Sequence, residues 1–388
     1  MEGHSPLGAS GAHRWMACPG SVLLSAGVED RESDHASLGT AAHALAAWCL
    51  EGESDAWKWV GRDFGGIAAD KDMADAVQVY LDAVRSAHPD RGQDNFWVER
   101  HFHCSEVHSM FYGTNDVGYW DATACTLHVW DYKHGVGVVV EAAWNPQLLY
   151  YAVGAMTGLG LWGAAEKVVV HVAQPRAVHP GGPVREWAIF ADELAAWRDD
   201  VLVPAMYRAE GDTYLESGEH CRFCPVRDRC PRLLGDLEEL EELMYGVKGA
   251  APELSNEQVG RVLDLFATTS IFAKAARESG YERAVKGGKI PGYKLVRAKV
   301  NRTWKEEAEA AAKAKFGTRA YTVPELKSPA QIDKLPEGTE FTTQYALKPE
   351  GGLQLVAEQD NRATAGPGVQ SMFKPQKAAK ARKRPGKA

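Results

Sequence analysis

Asp131 and Lys133 stand two residues apart at the end of an apolar segment. They occur in the run Val129-Trp-Asp-Tyr-Lys, which is closed by His134-Gly135. An apolar run followed by turn residues predicts a strand. Because successive side chains on a strand point to opposite faces, Asp131 and Lys133 should project to the same side. A carboxylate beside an ammonium group is a poor choice for a core and a good one for a reaction centre.

Asp116 lies in a second apolar segment, 110–120, which also predicts a strand. If the two strands form a hairpin across residues 121–124, Asp116 and Asp131 converge on one hard cation, which prefers oxygen ligands. Lys133 would then lie beside an attacking water and a phosphate, where a lysine stabilises negative charge. This set suits phosphodiester hydrolysis. The alternative interpretation is a surface salt bridge, since Asp-x-Lys triplets also occur by chance.

Gln147 and Tyr151 follow in the segment 142–156, which predicts a helix. They are one helical turn apart and therefore share a face. Between Lys133 and this helix, the run Gly137-Val-Val-Val-Glu141 predicts a further strand because it is rich in β-branched residues.

His43 lies upstream in the alanine-rich segment 38–50, whose large apolar residues have helical spacing. Thr40 is a candidate N-cap for this helix, which places His43 one turn in. A histidine on an apolar helix is either a hydrogen-bonded core residue or a metal ligand. Glu99, in the alternating strand segment 97–103, could reach the same metal site, but the favoured interpretation is an edge-strand carboxylate that faces solvent.

Four of the seven cysteines have a spacing typical of metal or cluster ligation. Cys221, Cys224 and Cys230 form a C-x2-C-x5-C pattern, and Cys18 precedes Pro19-Gly20, a tight turn that should expose its thiol. Four thiolates suit either a [4Fe-4S] cluster or a structural zinc ion. The remaining cysteines lie in apolar surroundings and are predicted core residues: Cys49, Cys104 and Cys125.

The composition is that of a globular protein, with 45% hydrophobic and 25% charged residues among 388. The sequence shows neither a membrane-spanning apolar run nor a basic-then-apolar leader, so we expect a cytoplasmic protein without membrane association. Residues 374–387 include seven basic residues and no acid, which leaves −15 on the rest of a chain whose formal charge is −8. Such a tail would add salt-dependent, sequence-independent affinity for DNA.

Turn signals and composition divide the chain into four segments. Residues 1–234 should form a domain around the acidic residues and the four-cysteine cluster, residues 235–300 a helical extension, and residues 301–357 a small α+β unit. Residues 358–388 are rich in Gly, Pro, Ala and Lys and are predicted to be a disordered basic tail.

The order of these motifs resembles the RecB-like branch of the PD-(D/E)XK nuclease superfamily. The matching patterns are G-T-x-x-H at 39–43, G-x-x-D at 113–116, D-x-K at 131–133 and Q-x-x-x-Y at 147–151. The resemblance implies an α/β fold with a restriction-endonuclease-like core, in which helices flank a mixed central sheet.

The same resemblance implies a role for each motif residue. His43, Asp116 and Asp131 would bind Mg2+ or Mn2+, and Lys133 would serve the nucleophile or the transition state. Gln147 and Tyr151 would line the cleft; otherwise they pack their helix against the sheet.

The cysteine pattern is similar to that of AddB-type helicase-nucleases and CRISPR-associated RecB-like exonucleases. This implies an iron-sulfur staple, a [4Fe-4S] cluster on Cys18, Cys221, Cys224 and Cys230 that ties together the two ends of the nuclease domain. Structural Zn2+ is the alternative. The motifs from H-R-W-x-x-C-P-G-S to P-G-Y-K-L-V also look like a phage- and prophage-encoded family of unknown function and cover almost the whole chain.

The expectation is therefore a metal-dependent DNA nuclease in the host cytoplasm, an exonuclease acting on single-stranded DNA or DNA ends. Its partners would be proteins of phage replication or recombination. The alternative from another class is a catalytically inactive protein that retains the nuclease fold and binds DNA ends or a replication partner. The complete His/Asp/Asp/Lys set counts against that alternative.

Overall fold

The computed structural model describes residues 5–28, 34–92, 94–246 and 254–293. The chain forms two compact units, Met1–Arg297 and Ala298–Ala388. The predicted α+β unit at 301–357 and the predicted basic tail at 358–388 lie outside the described residues, so every described element belongs to the first unit.

A five-stranded mixed sheet forms the centre of the first unit. Its strands have the same order in space as along the chain: β3 (Phe96–His103), β4 (Tyr112–Asp121), β5 (Thr126–Tyr132), β6 (Lys167–Ala173) and β7 (Val184–Phe190). A separate short hairpin, β1 (Asp63–Phe64) with β2 (Ile67–Ala68), precedes them. β5 and β6 are parallel, and the other neighbouring pairs are antiparallel. The predicted α/β class, the mixed sheet and the β4–β5 hairpin are confirmed.

Helices flank this sheet. They are α1 (Ala12–Ala17), α2 (Gly20–Leu24), α3 (Asp34–Glu51), α4 (Lys71–Ala87), α5 (Pro146–Gly158), α6 (Ala191–Trp197), α7 (Val203–Gly211), α8 (Pro231–Gly246) and α9 (Asn256–Val285). A π-helical turn, Arg198–Leu202, joins α6 to α7. No helix among the described residues is both long enough and apolar enough to cross a membrane.

The two faces of the sheet carry separate hydrophobic cores, because side chains of β5 alternate between them. Leu127 and Val129 pack in the core that includes α1, α5, α6 and α7. Trp130 and Tyr132 pack in the core that includes α3 and α4. The end of β5 therefore lies between two packed layers, and residues that follow it are held in place from both sides.

Two local predictions are wrong. The helix that bears His43 begins at Asp34, so Thr40 is an interior residue and its hydroxyl donates to the Ala36 carbonyl at 3.1 Å. The run 137–141 forms a loop because β5 already has partners on both edges, β4 and β6. Gln174 and Arg185 replace the missing strand partner by bonding the N–H and the carbonyl of Val140.

Three histidines pack together in the core beneath α4. The Trp130 indole donates to His88 Nε2 at 2.9 Å, and His128 Nδ1 lies 3.0 Å from His171 Nε2. Burial lowers the pKa of His88 and of His128 to about 4, and it lowers the pKa of His171 well below its usual value. These imidazoles are therefore neutral in the folded protein at neutral pH.

We expect this histidine cluster to make the fold acid-sensitive. Since the folded-state pKa values lie below the unfolded value of about 6.5, the unfolded chain binds more protons between about pH 6.5 and pH 4. The free energy of unfolding should fall with decreasing pH in that window, by at most about 1.4 kcal/mol per pH unit for each proton. Urea denaturation as a function of pH measures this slope. His128→Gln should flatten it, whereas His103→Gln, at an exposed position, should not.

Candidate metal site

Asp116 lies in the interior of β4 and is fixed by the neighbouring strand. Its Oδ2 accepts a hydrogen bond from the backbone N–H of Tyr132 at 2.8 Å, and His43 Nδ1 lies 3.4 Å from the same oxygen. The ring of Tyr132 contacts His43 edge-on at 5.4 Å. The interior of α3 and the end of β5 thus bring an imidazole to the Asp116 carboxylate.

Glu99 is exposed, as its strand position predicted, and it also completes this group. Among the residues that the structure describes, His43, Glu99 and Asp116 each offer a ligand atom within 4.8 Å of the other two. Glu99 has a φ of 48°, in the left-handed region that non-glycine residues seldom adopt. The β3–β4 register has partners for Val98 and Arg100 but none for Glu99. The broken ladder redirects the Glu99 side chain.

Asp131 and Lys133 project to the same side, which confirms the prediction from alternation. Lys133 Nζ lies 3.1 Å from Asp131 Oδ1 and 2.9 Å from Gln147 Oε1. The Gln147 amide closes the network by donating to Asp131 Oδ1 at 3.0 Å and to the Tyr151 hydroxyl at 3.3 Å. The lysine side chain is 26% exposed and that of Asp131 only 2%. A charged donor therefore faces solvent while its carboxylate partner is buried.

Asp131 retains an unused acceptor. Its Oδ2 lies 3.0 Å from Lys133 Nζ, yet the geometry is not that of a hydrogen bond and this buried oxygen has no other partner among the described residues. A buried carboxylate oxygen without a donor is available to a cation. Asp131 is not in the His43, Glu99 and Asp116 group at 4.8 Å, so its role as a metal ligand stays a prediction.

The donor set fits a hard divalent cation: one imidazole nitrogen, carboxylate oxygens, and a clustering of negative charge that needs compensation. Burial raises the pKa of Asp131, although Lys133 opposes the shift. Loss of hydration and, to a smaller extent, the neighbouring Asp116 raise the pKa of Glu99 to about 7, while His43 opposes the shift. In both groups the largest cause is removal of the carboxylate from water, and the neighbouring acid adds to it.

We expect the affinity for Mn2+ to increase as the pH rises through about 7, because Glu99 must lose its proton before it can bind a cation. Glu99→Gln should weaken Mn2+ binding at least about tenfold and flatten this pH dependence. Isothermal titration calorimetry on either side of neutral pH measures both effects. Glu106→Gln is the matched control, since Glu106 is an exposed acid just beyond β3. Equal pH dependence in both variants would contradict a ligand role for Glu99.

The four predicted cluster cysteines come from two segments far apart in sequence, Cys18 before α2 and the other three before α8. The Glu216 N–H lies 3.4 Å from Cys18 Sγ, and Cys221 Sγ lies 3.8 Å from the Glu216 carbonyl. Burial raises the pKa of Cys224, with Cys221 and Cys230 as charged neighbours that raise it further. All four are buried free thiols. Their sulfur atoms do not provide a group of three within 4.8 Å among the described residues.

Two cysteine predictions are corrected by this structure. Cys18 is only 5% exposed, because the segment 213–216 covers the turn that follows it. Gly20 donates to the Tyr214 carbonyl at 2.9 Å, so close that an added Cβ would meet that oxygen at 2.7 Å. Cys125 lies half-buried in the β4–β5 turn with a φ of 48°, and only Cys49 and Cys104 are core residues.

Comparison with known proteins gives one family match. No solved structure matches the chain. The family model described as "Protein of unknown function (DUF2800)" matches residues 4–363, nearly the whole sequence. The chain therefore belongs to the DUF2800 family of proteins of unknown function.

Proposed function

We propose that this protein is a metal-dependent deoxyribonuclease with a PD-(D/E)XK-type catalytic core, an exonuclease that hydrolyses phosphodiester bonds in single-stranded DNA or at DNA ends. Phage-type replication or recombination is the process in which such an activity would serve. Its partners would be DNA and other proteins of that process.

The observation that carries the proposal is the side-by-side placement of a cation-binding group and a fixed ammonium group. His43, Glu99 and Asp116 offer ligands within 4.8 Å of one another. Lys133 is held by Asp131 and Gln147. Burial raises the pKa of the Asp131 carboxyl, and Asp116 is close enough to add to that shift. A salt bridge on a hairpin surface would not need a buried carboxylate, a strained glutamate and a histidine around it.

The residues divide the chemistry between them. Mg2+ or Mn2+ bound by His43, Glu99 and Asp116 would polarise the phosphate and lower the pKa of water. Lys133 presents a partly exposed ammonium group to the charge that develops on the phosphate. Gln147 fixes the direction of Lys133, and Tyr151 in turn accepts from the Gln147 amide.

The proposed cofactor of the cysteine group is a [4Fe-4S] staple on Cys18, Cys221, Cys224 and Cys230, with structural zinc as the alternative, because four thiolates suit either metal. Such a staple would join the α1–α2 turn to the segment before α8 and so close the nuclease domain.

The direct test is degradation of labelled DNA by the purified full chain. Single- and double-stranded substrates, each with 5′-blocked, 3′-blocked or free ends, are incubated with Mn2+ or Mg2+ and in parallel with a chelator. We expect cation-dependent cleavage that one of the two end blocks prevents. Binding of these substrates without cleavage under either cation would instead select the catalytically inactive alternative.

A further inference from the structure

Trp144 occupies an unusual position for a large apolar residue. Its side chain is 59% exposed, and its φ of 52° lies in the left-handed region. Tryptophan is normally well buried, and bulky residues rarely adopt positive φ. The fold therefore places an aromatic ring in solvent at a strained backbone position, which points to a role outside packing.

The strained turn is fixed by Asn145, the N-cap residue of α5. Asn145 Oδ1 accepts from the N–H groups of Gln147 and Leu148, and its amide donates to the Glu141 carbonyl at 2.8 Å. Gln147 is the residue that holds both Asp131 and Lys133. Trp144 is thus three residues from the candidate site, a separation of at most about 10 Å along the chain.

A second aromatic ring supports Trp144. The ring of Trp187, on β7, lies 4.9 Å from that of Trp144 with a tilt of 47°. Trp187 packs against the core that includes α1, α5, α6 and α7. It therefore covers one side of the Trp144 ring and leaves the other side open. Cationic groups lie near the loop: Lys133 precedes it, and Arg176 is 2.8 Å from His134.

We infer that Trp144, backed by Trp187, stacks on an unpaired nucleobase of the strand whose phosphate lies at Lys133. This inference rests on the proposed function and specifies its substrate as single-stranded DNA at the point of contact. An exposed aromatic face on which a base can stack is the element by which proteins bind single strands without reading their sequence. A base in this position fixes the strand so that its backbone passes the candidate site.

The test couples a protein variant to a DNA variant. Labelled single-stranded oligonucleotides carry one abasic nucleotide at successive positions, and their affinity for the full chain is measured by fluorescence anisotropy in Ca2+, with cleavage measured in Mn2+. For the wild type, one abasic position should weaken binding about 5-fold to 150-fold. Trp144→Ala should weaken binding of the intact strand by a similar factor. This variant should then bind the abasic strand and the intact strand with equal affinity.

Three further variants separate the ring from the turn. Trp144→Phe should retain most of the affinity because it keeps an aromatic face. Trp144→Gly, which relieves the backbone strain, should bind as weakly as Trp144→Ala. Trp57→Ala is the matched control, since Trp57 is 52% exposed at another surface, and it should behave as the wild type.

The outcomes distinguish this inference from the proposed function. Cleavage by the wild type together with an undiminished abasic penalty in Trp144→Ala would overturn the stacking role and leave the nuclease proposal standing. Binding in which the abasic penalty disappears in Trp144→Ala, without cleavage in Mn2+, would support the stacking role and overturn the nuclease proposal. Absence of any single-strand binding would overturn the stacking role.

Discussion

Lys133→Ala is expected to reduce cation-dependent DNA cleavage about 100-fold to 1000-fold, which is the range for removal of one positioned charged donor from a transition state. Lys133 is partly exposed while its carboxylate partner Asp131 is buried, so the ammonium group is the charge of this pair that a phosphate can reach. Single-turnover rates at saturating DNA measure the effect on the chemical step. Binding in Ca2+ should change much less than the rate.

The substitution also removes the donor that faces Asp131 and Gln147, so a structural cost must be measured alongside. Loss of the charged partner of a buried carboxylate costs about 3–5 kcal/mol, and thermal unfolding shows whether the variant is folded at the assay temperature. Lys167→Ala is the matched control, because Lys167 pairs with Thr126 at the opposite end of β5. Equal rates for wild type and a folded Lys133→Ala would contradict a role for this amine in the reaction.

The positions of the site residues on β4, β5 and α5 were predictable because periodicity carries that information. Alternation along β5 placed Asp131 and Lys133 together, and a separation of one helical turn placed Gln147 and Tyr151 on one face. In the structure, these four side chains form one hydrogen-bonded network. The contacts depend on local spacing, which a sequence displays directly.

Glu99 was considered for the site but not counted among its ligands, because its placement breaks the alternation used to interpret the strand. Its left-handed φ interrupts the β3–β4 ladder opposite Asp116, and no composition signal marks such a residue. The exposed Trp144 was missed for a similar reason, since a positive φ at tryptophan follows from the turn geometry around Asn145. The strand predicted at 137–141 is wrong for a different reason. The residues have high β propensity, but both edges of β5 were already paired with other strands.

Cys221→Ala is expected to lower the free energy of unfolding by about 3–5 kcal/mol, and to abolish the visible absorbance and the bound iron of an anaerobically purified protein. The magnitude follows from closure of a very long loop, since Cys18 and its contact Glu216 are 198 residues apart in sequence. Ligation of a cluster by buried thiolates couples metal binding to folding. Denaturant unfolding, with iron and zinc analysis of the same samples, measures both quantities.

Cys49→Ala provides the matched control. Cys49 is also a buried cysteine, but it lies in the core that includes α3 and α4, away from the four predicted cluster cysteines. It loses a similar volume, so its modest destabilisation measures the packing term alone. The difference between the two variants then isolates the staple. If Cys221→Ala still binds iron, Cys221 is not a ligand of the cluster. If the wild-type protein is colourless and contains stoichiometric zinc, the four cysteines hold a zinc ion and not an iron-sulfur cluster. A difference near zero in unfolding free energy, with the metal lost, would mean that contacts such as Gly20 to Tyr214 already hold the two ends together.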